Sequence, residues 1–352
     1  ISFAVSCGQA CHRQATMPPL LSFIFGKVDA DVMENSMVYF FYTVLSYPFI
    51  ALYDAGASIF RAQENTRGPM VISIISNVMN IVGNGILIWV FHMGVAGAAI
   101  STLVSRIFCA VVVLYQLRKD RQPIVVRDYL KIRPDGKMIG RILALGIPSG
   151  IENSMFQLGK LAIQSTVSTL GTTAIAAQAM TNMLEMLNGT AVIGVGIGLM
   201  TVVGQSLGAG RKDEAVYYMK KLMIFSEVFL IACCAVVYVL ARPITMIGGM
   251  EAKSAEMCLD MMFWITIVKP IVWMFAFIPA YGMRAAGDVK FSMITSCITM
   301  WTFRFCLCVY LIRVCGMGPM AVWIGMFTDW TVRAIVFGLR FKSGKWMEHK
   351  VV

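Results

Sequence analysis

Charged side chains interrupt apolar runs of this sequence that are otherwise long enough to cross a bilayer. Glu152 is the only carboxylate in the run 142–170, and Gln157 and Lys160 follow it closely. A charge at membrane depth costs at least ~2.5 kcal/mol even on a lenient insertion scale, so it suggests a function by default. Glu152 could therefore carry a proton or a cation. Alternatively, since it lies within about two turns of Arg141, it is a snorkelling or lobe-sealing residue.

Amides and single charges form a second set of candidates. Asn80 and Asn84 are four residues apart and share one face of a helix, and Thr102 lies on the next apolar run. Interhelical hydrogen bonding is one reading of these three residues. Asp54 either lines a cleft or serves capping and packing. Lys269 either lines a cleft or reaches the membrane interface.

A third cluster combines one acid with two arginines. Asp329 and Arg333 are four residues apart, in the order that favours pairing on a helix, and Arg304 lies at a similar depth in the preceding run. A carboxylate between two guanidinium groups predicts a buried ion network that fixes helix packing. A direct part in ion coupling is the alternative.

Enzyme chemistry has little support in this sequence. No pair among its 3 histidines has ligand spacing, and its 10 cysteines lack the paired Cys-x-x-Cys arrangement of a zinc site. The stretch from Gly208 to Lys212 is glycine-rich but lacks the Gly-Lys-Ser/Thr ending of a phosphate loop. We predict neither a catalytic residue nor a metal site.

The composition indicates the environment in which this chain folds. Hydrophobic residues make up 58% and charged residues 14%, and the mean hydropathy is +0.73. A water-soluble fold of this length would need far more surface charge. The apolar runs are too long for the alternating pattern of a barrel, so the sequence predicts an all-α polytopic membrane protein. Nine runs qualify, and residues 1–25 form a weaker tenth: 37–60, 69–91, 95–117, 142–170, 174–207, 222–247, 257–283, 291–314 and 318–339.

The net charge of +11 reflects topology rather than nucleic-acid binding. Lys and Arg are concentrated on alternate connections, whereas the opposite side holds only Lys27, Arg242, Lys253 and Arg313. This asymmetry predicts that the cation-rich connections and the C-terminus lie in the cytoplasm. The expected location is the cell (inner) membrane.

An internal repeat organises the chain. Residues 61–65 and 284–288 begin similar stretches, which a constant offset of roughly 222 residues relates over much of the sequence. An even number of crossings separates the copies, which predicts two parallel-repeat helix bundles. We expect an N-terminal lobe at 1–117, a cytoplasmic linker at 118–141, a six-helix lobe at 142–346 and a tail at 347–352. The first lobe should lack two helices, leaving about ten of twelve.

Several motifs together resemble the multidrug and toxic compound extrusion (MATE) transporters. Loop motifs are expected at Arg61, at Gly204, Gln205 and Gly208, and at Arg284 and Asp288. The further motifs that carry the resemblance are Gly146-Ile147-Pro148-Ser149, Gly171-Thr172, Ala176 to Ala179, Val203 to Gly210, Met300-Trp301 with Arg304, Asp329-Trp330 with Arg333, and Gly344-Lys345-Trp346.

The resemblance implies two lobes around a central cleft and a secondary active antiporter that exports amphipathic or cationic organic compounds in exchange for Na⁺ or H⁺. One family branch implies a cation site at Asn80, Asn84 and Thr102, although Asn84 stands where that branch has Asp. No cofactor beyond the coupling ion is expected. The expected partners are a small-molecule substrate and the bilayer, without nucleic acid, and the protein is expected to be monomeric. A lipid-linked precursor flippase of the same wider superfamily and an inactive truncated fragment are the alternatives.

Overall fold

A computed structural model describes residues 30–119 and 135–348, which are helical throughout apart from short connections. The chain divides into two compact units with a boundary between residues 133 and 134. The weak span at 1–25, most of the expected linker and the end of the tail lie outside the described residues. The all-α membrane class is confirmed.

The described part of the first unit contains three helices. They are α1 (Ala30–Ala62), α2 (Arg67–Gly85), which continues through a π-helical segment (Ile86–Val90), and α3 (Gly94–Leu117). Helices α1 and α3 pack along each other because Gly56 lets Val113 approach the α1 backbone. Val113 and Phe60 are fully buried in the small core that results.

The second unit contains seven further helices, which lie close to the predicted spans. They are α4 (Gly136–Val167), α5 (Thr172–Gly208), α6 (Lys212–Ile247), α7 (Ala252–Ala285), α8 (Val289–Thr299), α9 (Leu307–Arg313) and α10 (Met320–Lys342). A π-helical segment (Met300–Cys306) joins α8 to α9, so that these form one continuous crossing. Helix α7 packs against α5, α6 and α10, and its buried residues supply much of the core.

Large apolar side chains on the outside fit a lipid environment. Ile247 is 87% exposed and Trp89 is 79% exposed, a pattern that would be costly in water. Within the described ranges, 8 helices are long and apolar enough to cross a membrane. Helix α4 is too polar to be counted among them. It begins at Gly136 and includes the charged residues Lys137, Arg141, Glu152 and Lys160.

The backbone repeats itself at the ends of α1 and α7. The amide of Asn65 donates to the carbonyl of Phe60 at 3.0 Å, and the amide of Asp288 donates to that of Met283 at 2.9 Å. The residue before each amide has a left-handed conformation, with φ of 62° at Glu64 and 88° at Gly287. These bonds satisfy carbonyls that a helix end leaves unpaired. The sequence repeat therefore corresponds to a repeated helix-ending turn.

Candidate functional site

The second unit encloses a cavity of about 410 Å³ that is lined from α4, α5, α7, α8 and α10. Its wall combines aromatic rings with six charged side chains: Glu152, Lys160, Glu185, Arg284, Arg304 and Arg333. A neighbouring cavity of about 620 Å³ shares Lys160, Glu185 and Arg304 with it. Concave sites with apolar walls and a few convergent polar groups are the usual form of ligand sites. We take this pair of cavities as the candidate site.

Glu152 lies at one end of the site in contact with the repeated motif. Its side chain is 9% exposed, and its Oε1 lies 2.6 Å from Nη2 of Arg284, in the last turn of α7. The other oxygen, Oε2, is buried without a hydrogen-bond partner among the described residues. Glu152 therefore turns into the helix bundle and does not snorkel. It retains one oxygen that could accept a proton or ligate a cation.

Lys269 pairs with a residue that the sequence reasoning did not select. Lys269 is fully buried, and its Nζ lies 2.5 Å from Oε1 of Glu185 and donates to the carbonyl of the same residue at 3.1 Å. Its ammonium also lies 5.4 Å from the centre of the Trp273 ring. Glu185 is the one carboxylate of the predicted span 174–207, so its depth alone could have identified it.

Arg304, Asp329 and Arg333 are brought together as a buried network. Asp329 is fully buried, with Oδ1 2.7 Å from Nε of Arg333 and Oδ2 3.2 Å from Nε of Arg304. Arg333 also donates to Oγ and to the carbonyl of Ser296, at 3.1 and 3.0 Å. The network joins α10 to α8 and to the π-helical segment, and both guanidinium groups reach the cavity wall.

Phe156 gathers three cations at the cavity wall. Its ring centre is 5.1 Å from Nζ of Lys160, 5.1 Å from Cζ of Arg304 and 5.8 Å from Cζ of Arg333. Cations lie favourably over the face of an aromatic ring, which carries negative charge density. Gln157 is exposed on the same helix and lines the larger cavity.

The amides of the first unit form a hydrogen-bonded chain. Asn84 donates to Oδ1 of Asn80 at 3.2 Å, and Asn80 donates to the hydroxyl of Thr102, also at 3.2 Å. Oδ1 of Asn84 is buried and accepts no hydrogen bond within the described ranges. Both interpretations of these three residues remain open, because the contact of Asn80 with Thr102 joins two helices and one oxygen of Asn84 is left for a ligand. Asp54 is exposed, away from these three residues on α1.

Most of the expected loop motifs are helix ends. Gly204, Gln205 and Gly208 lie inside the last turns of α5, so their placement in a loop was wrong. Helix α5 continues because its left-handed stop comes only at Gly210, where φ is 74°.

The two arginines of the repeat also lie in helices rather than in loops. Arg61 lies in the last turn of α1 and Arg284 in that of α7, so neither is a loop residue. Asp288 does lie between helices, and its Oδ2 is 2.8 Å from Nε of Arg340.

Two family models match separate parts of the chain. The model described as MatE matches residues 148–310, and that described as Lipid II flippase MurJ matches residues 17–133. The first range includes most of the charged residues of the candidate site.

Curated relatives match nearly the whole chain. A probable multidrug resistance protein NorM of Thermotoga maritima is 25% identical over 366 residues, covering 100% of this chain and 76% of the relative. The uncharacterized transporter YisQ of Bacillus subtilis is 26% identical, covering 94% of this chain and 72% of the relative.

Solved structures share the fold at lower identity. An outward-facing conformation of a multidrug resistance MATE family transporter of the MOP superfamily has a TM-score of 0.83 at 19% identity, covering 98% of this chain and 78% of that one. A MOP superfamily transporter from Pyrococcus furiosus, whose binding pocket is described as having reverse polarity, has a TM-score of 0.86 at 18% identity. That match covers 99% of this chain and 78% of the other.

Proposed function

Since this chain belongs to the multidrug and toxic compound extrusion family of membrane transporters, we propose that it is a secondary active antiporter. It exports amphipathic organic compounds in exchange for Na⁺ or H⁺. The observation that carries this proposal is the charged, aromatic-walled cavity of the second unit, because it places carboxylates and a substrate-sized space side by side.

The two carboxylates at the cavity wall suit ion coupling. Glu152 and Glu185 are each held by a single cation, Arg284 and Lys269 respectively. A proton or a Na⁺ ion bound to either carboxylate would weaken that contact and release the basic side chain. Ion binding would then favour a different arrangement of the site, which is what coupling between ion and substrate requires. The trio of Asn80, Asn84 and Thr102 is the alternative Na⁺ site.

Transport by the reconstituted chain tests the proposal. Proteoliposomes loaded with a fluorescent amphipathic dye should lose it when a Na⁺ or pH gradient is imposed, and the effective gradient identifies the coupling ion. Glu152→Gln should slow gradient-driven efflux about tenfold or more, since it removes the ionisable group. Asp213→Asn alters an exposed acid at the start of α6 and should leave the rate unchanged. The proposal would be refuted if proteoliposomes with the wild-type chain retained the dye whether or not a gradient was imposed.

The charges of the cavity bear on the substrate class. Four cationic and two anionic side chains line it, namely Lys160, Arg284, Arg304 and Arg333 with Glu152 and Glu185. This surplus disfavours a simple cation in the cavity, although cationic compounds were expected from the family resemblance. Amphipathic compounds remain the proposed class.

A flippase for lipid-linked precursors is the second candidate function. The match of residues 17–133 to the Lipid II flippase model favours it, as does the cationic lining of the cavity. A fluorescent polyprenyl-phosphate lipid in the same proteoliposomes separates the two functions. A flippase would move the lipid between leaflets without expelling the soluble dye, whereas an exporter would do the reverse.

We also propose an inner-membrane location with the C-terminus in the cytoplasm. The distribution of Lys and Arg supports this orientation. A protease-accessible tag placed after Val352 should be cleaved in inverted vesicles and protected in intact spheroplasts. The reverse pattern would contradict the orientation. Gel filtration with light scattering tests the expected monomer.

A further inference from the structure

Resting on the proposed transport function, we propose that Lys160 and Arg304 form a subsite for an anionic group. It would bind the phosphate, sulfonate or carboxylate of an amphipathic molecule whose apolar part lies against the aromatic wall of the cavity. The shared chemistry is an oxyanion attached to an apolar body, whether that body is a lipid or a soluble compound.

Lys160 is exposed towards the cavities and makes no ion pair within the described ranges. It lines both of them, and its Nζ lies 5.1 Å from the centre of the Phe156 ring. Among the residues that the structure describes, no carboxylate lies within ion-pair distance of it. A lysine ammonium has three donors and no acceptor, so an anionic acceptor in the cavity would complement it.

Arg304 presents the second set of open donors. Its side chain is almost wholly buried, and only its Nε approaches Asp329, at 3.2 Å, without forming a hydrogen bond. Its guanidinium donates no hydrogen bond to any residue in the described ranges. Arg304 lies over the Phe156 ring at the same 5.1 Å as Lys160, and it lines the same two cavities. A planar guanidinium with free donors suits an oxyanion.

Each carboxylate of the site already has a basic partner. Glu152 is held by Arg284, Glu185 by Lys269, and Asp329 makes its hydrogen bond to Arg333 at 2.7 Å. Asp329 is thus shared by Arg333 and Arg304, and Lys160, over the same ring of Phe156 as Arg304, has no ion-pair partner among the described residues. Arg304 is buried and shares its one carboxylate with Arg333, so an anionic ligand beside it would add compensation for its charge, and the exposed Lys160 would contribute a second cation.

The rest of the cavity suits the apolar part of such a molecule. Trp273 and Phe277 stack with ring centres 4.9 Å apart, and both line the smaller cavity together with Trp330. The volume of about 410 Å³ is that of a site for a drug-sized group. A cationic corner and an aromatic wall together define an amphipathic anion.

Binding of two matched probes tests this subsite. 8-Anilinonaphthalene-1-sulfonate carries a sulfonate, and N-phenyl-1-naphthylamine has the same ring system without it. The full chain in phosphatidylcholine nanodiscs should bind both. Lys160→Gln should weaken binding of the sulfonate about tenfold or more, the usual effect of losing a charge-assisted hydrogen bond, and leave the neutral probe unaffected. Lys160→Arg should restore sulfonate binding, and Lys253→Gln, on an exposed residue near the start of α7, should change neither affinity.

The outcomes decide between clear alternatives. Equal sulfonate affinity in the wild type and Lys160→Gln would overturn the subsite, as would no sulfonate binding by the wild type or a parallel loss of both probes. Added phosphatidylglycerol distinguishes the sources: competition with the sulfonate identifies a lipid headgroup, and its absence identifies a soluble anion. Because no gradient is applied, a chain that fails to transport could still bind the anion, and the converse also holds.

Discussion

The carboxylate of Asp329 provides a sharp test of the buried ion network. Asp329→Asn keeps the shape of the side chain and an oxygen that can still accept from Nε of Arg333, now 2.7 Å from Oδ1. It removes the single negative charge between Arg333 and Arg304, which are 3% and 4% exposed. Removing one partner of a buried ion pair typically costs 3–5 kcal/mol, because an uncompensated charge remains buried. We expect a loss of about 3–5 kcal/mol in unfolding free energy.

Unfolding in mixed dodecyl maltoside and SDS micelles, followed by tryptophan fluorescence, measures this loss. The matched control is Glu214→Gln, which breaks a 3.0 Å pair with Arg211 whose side chains are 45% and 64% exposed. Exposed pairs contribute less than about 1 kcal/mol. The double variant Asp329→Asn with Arg304→Met removes one stranded guanidinium and should recover part of the stability. If Asp329→Asn and Glu214→Gln lose equal free energy, the network does not hold the helices together.

Two further substitutions test the packing of α10 by the same unfolding assay. Gly325→Ala would place a Cβ 2.9 Å from a backbone carbonyl oxygen of the π-helical segment and should cost about 1–3 kcal/mol, whereas Gly338→Ala has nothing within 4 Å and should gain up to about 1 kcal/mol. Trp323→Phe removes the donor to Oε1 of Gln178, at 3.2 Å, and should cost about 1–3 kcal/mol, but Trp264→Phe, on a residue 45% exposed, should cost under about 0.5 kcal/mol. Equal changes in unfolding free energy for the two Gly→Ala variants, or for the two Trp→Phe variants, would contradict these packing and hydrogen-bond contacts.

The helices themselves could be predicted from the sequence with good accuracy. A long apolar run can satisfy its backbone only as a helix in lipid, so composition fixes both the class and the approximate bounds. The ends were less accurate: α6 begins at Lys212, ten residues before the predicted span. Helices extend beyond the bilayer until a left-handed residue such as Gly210 stops them, and hydropathy does not record that signal.

The partners in the candidate site were not predictable in the same way. Asp329 and Arg333 are four residues apart, so helical spacing alone placed them together. Glu152 and Arg284 are separated by 132 residues, and Lys269 and Glu185 by 84. Such pairs depend on how the helices pack around α7, and one sequence does not determine that packing. The depth of a charged residue in an apolar run indicates that the residue is important. It does not indicate which other residue neutralises the charge.

The two units share a backbone plan but bury different chemistry. In the first, α2 and its π-helical segment bring neutral groups such as Asn80 to Thr102 of α3. In the second, the corresponding α8 and its π-helical segment bring Arg304 to Asp329 of α10. Buried ion pairs seldom stabilise a bundle more than apolar residues of similar size would. Since the described helices of the first unit pack without such a network, the charges of the second unit support the proposal that a ligand and an ion bind there.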